Sequence, residues 1–165
     1  MDNKQFLALI LPLTTLGVIP AILLFDFKTK TFPLHFDPLL ASIGALLCVG
    51  GLGLMAETIR ALHKVGTGTI APWNPPINLV TSGLYAYVRN PMIGGACLVL
   101  LGESLVFRSE AIGTYLVVFF VLNSMYFKFI EEPALEKRFG QNYQEYKKKT
   151  PMWLPKKPSE KQSSN

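Results

Sequence analysis

The chain has 165 residues, of which 50% are hydrophobic and only 16% charged, with a mean hydropathy of +0.31; an ordinary globular chain carries roughly 25% charge. That apolar content excludes a disordered chain, and two cysteines, Cys48 and Cys97, each inside an apolar run, exclude a disulfide-stapled secreted domain. The net charge of +5 is concentrated towards one end, and the composition is that of an integral membrane protein.

Four stretches are predicted to cross a bilayer or nearly so. The first, Phe6 to Phe25, is uncharged but contains Pro12 and Pro20, which are expected to bend it. It is too long for the apolar stretch of a signal peptide and no small-x-small cleavage site follows it. The second runs from Leu39 to Ala56 and extends through Glu57 towards Arg60. On it Ala41, Gly44, Cys48 and Gly51 fall at helical spacing, placing small residues on one face where a neighbouring helix can approach closely. The third, Met92 to Phe107, carries Glu103, and the fourth, Ala111 to Ile130, is interrupted only by Lys128. Arg108, Ser109 and Glu110 alone separate these two, so a tight helical hairpin is expected. The fold class is therefore all-α integral membrane, with about four transmembrane helices.

Charge sets the expected orientation. In a four-span topology thirteen of the sixteen basic residues, among them Lys4, Arg60, Lys64, Arg89 and all those from Lys128 onward, fall on one side. Lys28, Lys30 and Arg108 fall on the other. The positive-inside bias puts both termini and the central loop in the cytoplasm.

That central loop, His63 to Pro91, is dense in Gly, Pro, Thr and Asn and has the apolar anchors Leu79, Val80, Leu84, Tyr85 and Val88. An ordered loop folded against the helices is expected. Gly66-x-Gly68 does not follow a strand, so a dinucleotide fingerprint is not met. There is no phosphate-binding loop, no metal-ligand cluster and no Ser–His–Asp set; the histidines are His35 and His63, and no metal is assigned. The fourth span ends in Glu131 and Glu132 before Pro133. Read simply, this pair sits in water and opens a new helix at Pro133; read functionally, one carboxylate faces a cytoplasmic cavity and binds a cation. Two short amphipathic helices follow, Ala134 to Phe139 and Asn142 to Lys149. Tyr143, Tyr146 and Trp153 are expected to form an apolar edge at the interface, as is Trp73, while the lysines meet anionic headgroups. The basic tail lacks a folded platform for nucleic acid.

The run Leu79-Val80-x-x-Gly83-x-Tyr85-x-x-x-Arg89-Asn90-Pro91, then Glu131-Glu132, then Phe139-Gly140-x-x-Tyr143-x-x-Tyr146, resembles the isoprenylcysteine carboxyl methyltransferases, which group with the phospholipid N-methyltransferases. The stretch from Gly66 to Pro76 is similar to prokaryotic-type members, and the resemblance covers roughly residues 60 to 155. It divides the chain into an N-terminal helix pair (1–62), a methyltransferase-like core (63–155) and a basic tail (156–165). It implies an S-adenosylmethionine site at the cytoplasmic face, bounded by Leu79, Val80, Gly83, Tyr85, Arg89, Asn90, Pro91, Glu131 and Glu132. Arg89 and Glu131 would be the catalytic pair, acting on a lipophilic acceptor that arrives between the third and fourth helices. Arg89 suits the cofactor carboxylate, a glutamate its ammonium or ribose, and the backbone N–H groups near Gly83 its anionic parts. Where such proteins often have Arg-His-Pro with a following Tyr, this chain has Asn90 and Ile93, so a histidine base is impossible at that place. Two other readings fit a small membrane protein: a nicotinamide-dependent sterol-type reductase and a non-enzymatic membrane component.

Overall fold

The computed structural model describes residues 11–25, 37–65 and 78–157. Lys4 and the start of the first predicted span, Lys28, Lys30, His35, Gly66, Gly68, Trp73, Pro75, Pro76 and the tail beyond residue 157 lie outside the described residues, as does the His63 side chain. Among the described residues the structure is all helical. The helices are α1 (Leu11–Phe25), α2 (Pro38–Val65), α3 (Pro91–Val106), α4 (Glu110–Phe139) and α5 (Gln141–Lys149), with a 3-10 turn at Gly83–Ala86.

Local chemistry starts each long helix. The Asp37 carboxylate accepts from the N–H groups of Leu39 and Leu40 at 3.0 and 3.2 Å, and Pro38 occupies the first turn, where a missing N–H costs nothing. Pro91 does the same for α3. Ser109 caps α4 by accepting from the Ile112 N–H at 3.3 Å, so the hairpin predicted between the third and fourth stretches closes over three residues.

Of the four expected spans, two are long and apolar enough to cross a membrane: Pro38–Leu62 within α2, and α4 with 30 residues. α3 has 16 residues, a rise of about 24 Å against a hydrocarbon core of about 30 Å. α1, over its described residues, is likewise a shorter apolar helix. Only 17% and 6% of the apolar windows of α2 and α4 are buried in the protein, and Leu46, Val49, Val117 and Leu122 are each at least 60% exposed. The core helix of a soluble protein would bury such residues, so these faces are lipid-facing and the chain is a membrane protein.

Small residues bring α2 and α3 together. A Cβ on Gly51 would lie 2.5 Å from the Gly95 carbonyl oxygen, and one on Gly102 2.5 Å from both the Cys48 sulfur and the Gly44 carbonyl oxygen. The Gly44, Cys48 and Gly51 face expected from spacing is therefore the contact face, with the Cys48 thiol donating to the Val99 carbonyl at 3.6 Å.

The expected helix break before Pro133 is not found. α4 runs through it by widening into a π turn at Phe127–Glu131, where the Glu132 N–H donates to the Phe127 carbonyl, five residues back. α1 does the same at Thr14–Val18, with the Ile19 N–H donating to Thr14. Each π turn ends two residues before a proline, Pro20 or Pro133. Proline lacks the N–H that closes an ordinary turn and its ring crowds the carbonyl four residues back; a wider turn accommodates both without ending the helix.

Candidate functional site

The cavity that gathers the chain's polar chemistry has a volume of about 380 Å³ and lies where the loop before α3 meets the lower part of α4 and α5. Three elements build its charged end. The loop supplies Arg89, α4 supplies Glu131 and Glu132, and α5 supplies Tyr143 and Tyr146. The π turn is what aligns α4 for this. At about 100° per residue, Phe119 and Leu135 would face about 160° apart on a regular helix; the one-residue insertion cuts this to about 60°. Phe119, Asn123, Phe127, Glu131, Leu135 and Phe139 consequently share one lining face.

Glu132 is the centre of the charge network. Its side chain is 6% exposed, ion-paired through one oxygen to Arg89 and through the other to Lys147 at 2.6 Å. Lys147 also reaches Glu136 at 2.9 Å. Hydrogen bonding to Glu132, then to Glu136, raises the Lys147 pKa above its ordinary value. Buried carboxylates persist when paired in this way. Arg89 is itself 12% exposed, and its Nε is buried with no hydrogen-bond partner among the described residues. Glu131 takes no part in these ion pairs; it also lines the cavity, beside Tyr126, whose hydroxyl hydrogen-bonds to it.

Three phenols surround this cluster. Burial pushes Tyr85 and Tyr146 well above the ordinary phenol range. Tyr143 is raised by burial first and by the Glu132 charge, against the lowering influence of Arg89 and Lys147. All three are therefore neutral donors, and the Tyr146 hydroxyl donates to the Tyr85 carbonyl at 2.7 Å, tying α5 to the loop. The segment after α5 ties it further. The Arg89 N–H donates to the Pro151 carbonyl at 2.9 Å, and the Lys156 N–H to the Tyr87 carbonyl at 3.0 Å. Trp153 packs on Phe120 and Phe127 with ring centroids 4.9 and 6.2 Å away.

Of the residues singled out from sequence, Leu79, Val80, Tyr85, Arg89, Asn90, Pro91, Glu131 and Glu132 all line this cavity. Gly83 does not; it is exposed, at φ +63° in the left-handed region, and turns the backbone at the start of the 3-10 turn. Asn90 makes no side-chain cap bond to α3 and is buried against the cavity. Tyr143 and Tyr146, expected at the membrane interface, are only 3% and 5% exposed and turn inward to the site. Sequence reading missed Leu11, Pro12, Thr15 and Leu16 of α1, Met55 of α2, and Asn123, Tyr126, Leu135 and Arg138 of α4. The every-fourth-residue series from Phe119 to Phe139 is a readable signal for part of the α4 set, whereas nothing local marks the α1 set.

A family profile described as phospholipid methyltransferase matches residues 40–142, which is well over half of the chain and holds α2, α3, α4 and the loop. No curated protein matches it. With the charged cavity, the glycine-packed helix pair and the two membrane-crossing helices all within or bordering that segment, the chain belongs to the phospholipid methyltransferase family.

Proposed function

We propose that the protein is an S-adenosylmethionine-dependent methyltransferase that binds its cofactor at the charged end of the cavity and methylates a lipophilic acceptor held in the apolar remainder. The observation that carries this reading is the continuity of the two environments. Arg89 and the glutamate pair border the same space as Phe119, Leu16 and Met55. A volume of about 380 Å³ suits a small-molecule site.

The residues fit the cofactor. The buried, unpartnered Arg89 Nε is a donor for a carboxylate, and Glu131, whose carboxylate is free of the Arg89–Lys147 network, is an acceptor for an ammonium or a ribose hydroxyl. Tyr85, Leu79 and Val80 offer an apolar shelter for an adenine. When bound, S-adenosylmethionine supplies an electrophilic methyl group on a sulfonium. The protein's share is positioning and exclusion of water: Glu132, fixed by Arg89 and Lys147, holds the guanidinium in place, and the tyrosines close one side. Glu131, steadied by Tyr126, is the carboxylate placed to take a proton where the acceptor atom carries one. The charge bias of the sequence supports a cytoplasmic position for this end.

Calorimetry with S-adenosylhomocysteine on the detergent-purified protein tests the reading. One-site binding is expected, weakened at least tenfold (about 1.4 kcal/mol) by Arg89→Lys and by Glu131→Gln. Absence of binding by a protein with intact helical circular dichroism would overturn it.

A further inference from the structure

Resting on that methyltransferase reading, we propose that α1 is the acceptor-selecting wall of the cavity, its π turn holding a long hydrocarbon tail against α4 and determining which tails fit. The family match begins at residue 40, whereas α1 ends at Phe25, so α1 lies outside the segment matched to the family. Yet Leu11, Pro12, Thr15 and Leu16 line the same cavity as Arg89 and Glu132. Charge chemistry thus comes from the matched segment, and one apolar wall from a helix beyond it.

The local structure of α1 suits a binding wall. Among the described residues there are two π turns, and both border this cavity, Thr14–Val18 through Thr15 and Leu16, Phe127–Glu131 through Phe127 and Glu131. π turns inside α-helices are rare and concentrate at functional sites. The widened turn in α1 points Thr15 and Leu16 inward together, while Leu13 and Val18, 68% and 45% exposed, face outward. α1 is therefore a single-helix partition between the cavity and its surroundings.

The chemistry of this compartment selects hydrocarbon. Pro12 and Leu16 face it from α1, with the half-exposed Leu11 at its rim, and Phe119 and Phe127 face it from α4. Its polar side chains are already engaged: Thr15 hydrogen-bonds with Tyr115, and the Asn123 amide donates to the Phe119 carbonyl at 2.8 Å. A polar headgroup gains little here and is better met by Glu131, Arg89 and Arg138 at the other end. An acyl chain or an isoprenoid chain fills such a space equally well in kind, and the length and width left by Leu16 and Pro12 discriminate between them.

Photocrosslinking with two tail chemistries tests this. The full chain is reconstituted in phosphatidylcholine vesicles containing either a phosphatidylethanolamine with a diazirine in its acyl chain or a diazirine-bearing S-farnesylcysteine. Adducts are mapped by mass spectrometry. At least one probe is expected to place its adducts on the cavity-lining Pro12, Thr15 or Leu16 rather than on the outward Leu13, and the one labelling these more strongly identifies the tail as acyl or isoprenoid. Leu16→Trp should reduce that labelling about fivefold (about 1 kcal/mol), Leu16→Ala should shift preference towards the bulkier chain, and the lipid-facing Leu46→Trp should leave it unchanged. Labelling confined to outward positions such as Leu13, Leu46 and Val49, or unmoved by both Leu16 variants, would overturn the proposal. Calorimetry with S-adenosylhomocysteine on the wild-type protein separates the two readings: its failure removes the methyltransferase assignment but leaves the adduct map, and hence the test of α1 as a tail-binding wall, intact.

Discussion

Lys147 stands in a run of three lysines that reads, by composition, as solvated or lipid-facing, and the fold gives it a different task. Its ammonium lies between Glu132 and Glu136, and these bonds raise its pKa from 10.5. A cation held more firmly in the folded state contributes stability fully below its unfolded pKa and loses it as pH climbs through the raised folded value. The buried phenols of Tyr85, Tyr143 and Tyr146, also raised, act in the same direction. The thermal midpoint in detergent should therefore fall on the alkaline side of about pH 10, and Lys147→Met should show a smaller alkaline fall than the wild type. A second residue-scale expectation concerns Tyr146, whose hydroxyl satisfies the Tyr85 carbonyl. Tyr146→Phe leaves that acceptor unpaired within a buried contact, and denaturant titration should register a loss of about 1–2 kcal/mol.

At the scale of elements, the α2–α3 contact rests on the absence of side chains. With backbone and sulfur atoms at 2.5 Å from where the Gly102 Cβ would stand, Gly102→Val forces the helices apart; overpacking of this kind costs about 1–3 kcal/mol. A Cβ on Gly50, one residue from the contact residue Gly51, would meet nothing within 4 Å beyond its own stretch of helix. Gly50→Ala should be neutral or stabilising by up to about 1 kcal/mol, through helix propensity alone. The pair of variants, compared by thermal unfolding, separates packing from propensity. The small-residue face of α2 is legible in the sequence because helical spacing fixes which residues share a face. Its partner face on α3, Gly95 and Gly102, is not, because spacing says nothing about which helix comes opposite. Pro133 reads as a helix start because proline usually marks one. The π turn that carries α4 through it is the alternative to a break that proline also permits, and which of the two is taken is not written in the proline itself.

Across the whole molecule, the C-terminal segment behaves as a strap over the loop that precedes α3. It is held by the Pro151 and Lys156 backbone bonds and by Trp153 against Phe120 and Phe127. Trp153→Ala should loosen the strap, lowering the thermal midpoint and weakening S-adenosylhomocysteine binding together, while Trp153→Phe should retain most of both because a ring still fills the place. The sequence by itself determined the membrane class, the hairpin at Ser109 and the small face of α2, and the family resemblance pointed to the loop and the glutamate pair. The first three follow from composition, from helical period or from a short polar break, each of which acts over residues near one another along the chain; the last rests on the resemblance. Tertiary structure alone decided that Glu132 is bound by Arg89 and Lys147 while Glu131 stays outside those ion pairs, that Tyr143 and Tyr146 turn inward, and that α1 supplies a wall. Those outcomes join residues far apart in sequence, and their physical reason is burial: a carboxylate 6% exposed must find cations wherever the fold brings them.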